Sequence, residues 1–203
     1  IETEQRWRPS LDSSIYKAYM LAVEALKTQI TRNNYVELHD ELDSLIGERE
    51  FERLRPDTNP DEFHRFHSQL DHYLRSFKST LLLTELRDFP VRVYGRGWSR
   101  FAKDAVSGHE FAAGLNMANS QELFYSEYGI VDVSPSKRLH DRTRRAMVNG
   151  RPFLSSANLE DSFPDIERFE TLFFNFLPGN LAMRCAKVVS DPREHSDVSE
   201  AYA

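Results

Sequence analysis

A chain of 203 residues with 40% hydrophobic and 12% aromatic content can bury one large core or two small ones, which excludes a wholly disordered polymer. No apolar run approaches the roughly 20 residues of a bilayer-crossing helix, and a net charge of −6 argues against a dedicated nucleic-acid binder. One cysteine, Cys185, excludes an internal disulfide, and the opening IETEQRWRPS lacks the apolar stretch of a signal peptide, so a reducing, cytoplasmic setting is expected for what reads as an excised or processed piece.

In chain order, Leu11, Ile15, Tyr19, Val23, Leu26 and Ile30 recur every three to four residues and predict a helix over 11–31. Leu38, Leu42, Leu45 and Ile46 predict a second, with charged residues opposite. Asn59-Pro60-Asp61-Glu62 then supplies an N-cap, a proline at the first helical position and two carboxylates where the helix dipole favours them. Phe63, Phe66, Leu70, Tyr73, Leu74, Phe77, Leu81 and Leu86 continue this third helix on one face, with Leu70, Phe77 and Leu81 expected to be largely inaccessible.

At Phe89-Pro90 the period changes. Short β-branched or apolar runs predict strands over 91–94, 130–134, 152–155 and 172–176, and helices are expected over 120–128, 139–149 and 179–190. Strands alternating with helices imply parallel pairing through right-handed crossovers. The fold class expected is α/β: a helical N-terminal segment, 1–88, followed by an open parallel Rossmann-like sheet, 89–203.

Charge is uneven. Residues 91–103 carry Arg92, Arg96, Arg100 and Lys103 with no acid, and residues 137–151 carry six basic residues against Asp141 alone. In open parallel sheets ligands bind beyond the carboxyl ends of strands, where both stretches are expected to fall. Gly95-Arg96-Gly97-Trp98 follows the first strand, and Ser136-Lys137 with His140-Asp141-Arg142 lies between the second strand and its helix. If these strands are neighbours, the clusters face one crevice, whose guanidinium groups and helix N-terminus suit a phosphate or diphosphate.

These segments, VYGRGW, ELFYSEYGIVDVSPS and LHDRTRRAMVNGRPFLSS, resemble the donor-binding half of GT-B glycosyltransferases, particularly the CgeB-like group of the family 1 and 4 type. The likeness spans about residues 91–160. It implies that Gly95 and Gly97 form the loop beside the donor diphosphate and that His140, Asp141 and Arg142 lie at the phosphate-facing helix start. With Gly150 aligned to the family glycine, Arg145 stands where many relatives have the glutamate that holds the nucleotide ribose, and arginine cannot accept those two hydroxyl hydrogen bonds. The resemblance implies a nucleotide sugar as substrate, no cofactor, and an acceptor-binding domain or partner protein outside this chain. No metal is implied either, since positive protein groups can offset the leaving diphosphate.

Other candidates read more plainly. His64, His67 and His72 lack the i, i+4 spacing of a helical zinc pair and read as solvated or capping residues. Ser134 and Ser136 lie in no GxSxG pattern. Trp98 reads equally as a stacking surface for a sugar or base and as an anchor against the first strand; Cys185 reads as core. Two functional readings stay open: the donor-binding part of a glycosyltransferase, and a non-catalytic interaction or dimerisation module of the same fold, with the helices as a homodimer or partner surface. Nucleic acid in the basic crevice is the least favoured.

Overall fold

The computed structural model describes residues 13–31, 52–94, 109–112, 129–133, 145–146, 148–149, 151–156 and 174–191. Among them are helices α1 (Ser13–Thr31), α2 (Pro60–Glu85) and α3 (Asn180–Ser190), a 3-10 turn at Glu52–Leu54, and strands β1 (Arg92–Tyr94), β2 (Glu110–Ala112), β3 (Ile130–Asp132) and β4 (Phe153–Ser155). The architecture is mixed, helices with small parallel sheets. None of the described helices is long and apolar enough to cross a membrane. The helix expected around residues 38–46 and the one expected over 120–128 lie outside the described residues.

Contacts divide the chain into two units, with the division inside α2 between Ser79 and Thr80. In the first, α1 buries the stripe that its spacing predicts: Ile15, Tyr19, Val23, Leu26 and Ile30, joined by Ala18 and Ala22. The Tyr19 ring stands edge-on to Phe66 at 6.4 Å and to Tyr73 at 6.5 Å. Each such aromatic pair adds about 0.5–1.5 kcal/mol beyond burial of its area. Phe63, Leu70, Leu74 and Leu54 are also buried here.

The start of α2 follows from its sequence. The Phe63 amide donates to the Asn59 carbonyl at 3.0 Å, and the Asn59 side-chain amide donates to the Glu62 carboxylate at 2.6 Å. Pro60 needs no partner for a missing N–H, and Asp61 and Glu62 occupy the first turn. At the other end the Leu86 amide still reaches the Leu82 carbonyl, Phe89 closes back on Leu86, and Pro90 cannot continue the ladder. Leu70 is fully buried as expected, whereas Phe77 and Leu81 are half-buried. The reason is a shift of the buried side: after Leu74 the inward residues are Lys78, Leu82, Leu83 and Leu86.

The second unit holds the strands. β1 pairs in parallel with β2, setting Val93 opposite Phe111, and β3 pairs in parallel with β4, setting Val131 opposite Leu154. One core serves both pairs: Leu82, Leu83 and Leu86 of the α2 end, Val93, Leu154, Phe174, and Leu181, Cys185 and Val188 of α3, with Phe111, Val131 and Val133 packed against it. Gly129 precedes β3 where a Cβ would meet the Pro152 carbonyl oxygen at 3.1 Å. That carbonyl accepts the Ile130 amide at 2.9 Å, so the absence of a side chain at 129 lets the β3–β4 ladder begin.

One expected strand needs correction, and one strand forms where none is expected. The run over 172–176 is not a strand through its described part, Phe174 to Phe176. The Asn175 side chain takes the Leu177 amide, and the Asn175 amide donates to the Asn180 side chain, each at 3.0 Å; local side-chain bonds replace a ladder. Conversely, β2 is a strand where no alternation of β-branched residues announces one, since Glu110-Phe111-Ala112 offers a single large apolar side chain.

Candidate functional site

Parallel pairing brings the carboxyl ends of the strands together two by two, Tyr94 beside Ala112 and Asp132 beside Ser155. The segments that the sequence singles out continue from two of these ends. Gly95, Arg96, Gly97 and Trp98 follow Tyr94; Ser136, Lys137, His140, Asp141 and Arg142 follow Val133. All nine lie outside the described residues. Among the described residues, β1 bonds to β2 and β3 to β4, with no ladder between β1 and β3.

The described surroundings sort the basic residues. Arg92 stands at the amino end of β1, away from the loop that leaves the strand, and its Nε donates to the Glu110 carboxylate at 2.9 Å across the β1–β2 pair. Hydrogen bonding to Tyr94 and to Glu110 holds its guanidinium further into the charged form. This exposed side chain is therefore a cross-strand partner, and the positive charge available beyond β1 is smaller than the composition of 91–103 suggests.

Arg145 and Ala146 are helical, as is Val148, in agreement with the end of the helix expected over 139–149. Its closure is visible: the Asn149 side-chain amide donates to the Arg145 carbonyl at 2.7 Å, and the Arg151 amide reaches back to the Ala146 carbonyl at 3.0 Å, the six-to-one bond of a Schellman ending. Arg145 is half-buried in this last turn.

One feature beyond β4 has no local signal in the sequence. Ser155 and Ser156 are both buried, and the Ser155 carbonyl accepts the Phe174 amide at 3.1 Å, so the carboxyl end of β4 is closed by the segment leading into α3. Adjacent serines after an apolar strand read as ordinary loop entry, which is why nothing marked them. Gly179, in the left-handed region at φ 79°, begins α3 and donates its amide to the Glu85 carboxylate at 2.7 Å. His109 Nε2 lies 2.9 Å from the Leu86 carbonyl, tying the entry of β2 to the end of α2.

The remaining candidates fall as follows. His64 and His72 are exposed and His67 is half-buried beside the Phe63 ring; among the described residues no three His, Cys, Asp or Glu side chains are grouped to hold a metal ion. Cys185 is buried in the core, and burial pushes its thiol up to about 12. Such a thiol is protonated and unreactive at neutral pH. Comparison with known proteins finds no matching family model, curated protein or solved structure.

Proposed function

We propose that this chain is the donor-binding part of a GT-B-like glycosyltransferase, which moves a sugar from a nucleotide-sugar donor to an acceptor held by another domain or a partner protein. One observation supports this above the others. The two motif-bearing segments leave the carboxyl ends of β1 and β3, one from each of two parallel pairs that share a single apolar core.

In this reading the pairs are the two sides of one open Rossmann-like sheet in the order β2-β1-β3-β4. The chain moves outward one way from β1 to β2 and the other way from β3 to β4, so β1 and β3 flank a topological switch point, where such sheets bind ligands. Gly95 and Gly97 let the backbone approach the diphosphate. By the resemblance, Arg96 and Arg142 would offset its charge, His140 and Asp141 would belong to the phosphate-facing helix start, and Trp98 would offer a stacking surface for the sugar or base. The leaving diphosphate is stabilised by these fixed positive groups, and no catalytic base is assigned within this chain.

Calorimetric titration with a panel of UDP- and GDP-sugars and the free nucleotides tests the reading. Saturable heat with one nucleotide class is expected. Silence across the whole panel overturns the donor site and favours the non-catalytic interaction module, to which Arg145 in place of a ribose-binding glutamate also points.

A further inference from the structure

We draw no further inference here: the strongest candidate, the Ser155–Ser156 hydroxyl pair at the carboxyl end of β4, is closed to solvent, is already engaged within the protein, and stands on the strand edge that belongs to the donor site proposed above.

Discussion

Replacing Leu154 by Ala tests whether β1–β2 and β3–β4 share a core. Leu154 is 2% exposed at the middle of β4, opposite Val131 and in the cluster that also holds Val93 of β1. Burying a Leu-to-Ala cavity costs about 2–5 kcal/mol, depending on how far the walls collapse. Here the ladder to β3 and the buried face of α3 limit collapse, so about 3 kcal/mol is expected. At about 1.4 kcal/mol per factor of ten, that makes opening of the unit roughly 140-fold more frequent. Amide hydrogen exchange reads this directly where reclosing is fast. Two amides report on the two pairs: Ile130, bonded to the Pro152 carbonyl, and Glu110, bonded to the Val91 carbonyl, each at 2.9 Å. Both should accelerate together in Leu154→Ala, while Val148→Ala, at a site 71% exposed, should change stability by less than about 0.5 kcal/mol. Acceleration at Ile130 with Glu110 unchanged would refute the shared core, and with it the single-sheet arrangement on which the donor site depends.

Gly129→Ala should lower the urea midpoint by the equivalent of about 1 kcal/mol, because the new methyl meets a carbonyl already held by the Ile130 amide; an unchanged midpoint means the backbone yields freely. Asn59→Ala should cost about 0.5–1.5 kcal/mol by the same measurement, as the bond to the Glu62 carboxylate in the first turn of α2 is lost. The raised Cys185 thiol makes stability fall as pH climbs from the ordinary thiol value of 9.0 toward about 12, since only the unfolded chain ionises there. Cys185→Ala should flatten that alkaline loss relative to wild type in pH-dependent denaturation, and identical slopes would remove the argument. For the proposed donor site, Arg142→Ala should weaken a bound nucleotide by about ten-fold or more, and added salt should weaken wild-type binding, because charge-assisted contacts typically contribute about 1.5–3 kcal/mol. Arg65→Ala, on the exposed side of α2, should leave calorimetric affinity unchanged, and equal affinities for all three proteins would contradict the site.

Long periodic stripes were the most legible part of the sequence. Ile15 to Ile30 repeat often enough for the helical period to stand out, and Asn59-Pro60 marks the start of α2 by chemistry particular to that position. The short strands were less so. Val91 to Tyr94 and Ile130 to Val133 carry β-branched residues that separate them from helices, whereas β2 is held by its partner, with Arg92 bonding Glu110 and Val93 facing Phe111, a tertiary cause that local composition does not record. The run at 172–176 shows the reverse error, in which apolar content suggested a strand and Asn175 supplied competing local bonds. For the candidate site, the sequence located the loops through their glycines and charges. It could not tell that Arg92 is committed to Glu110, because that partner stands on β2, a strand that local composition does not announce.

The continuity of α2 bears on how this chain can be dissected. Among the described residues, three of the nine buried side chains of the strand-bearing core, Leu82, Leu83 and Leu86, are carried at the end of a helix whose earlier turns complete a different core. Cutting after residue 88, where the sequence changes period, would strip those leucines from the strands and leave their apolar neighbours open to water. Cutting at the contact division, between Ser79 and Thr80, keeps them but leaves a helical stub of six residues, too short to hold its shape without packing. Titrations against nucleotides are therefore best made on the uncut chain, since loss of binding in either fragment would report a damaged core before it reported on the ligand.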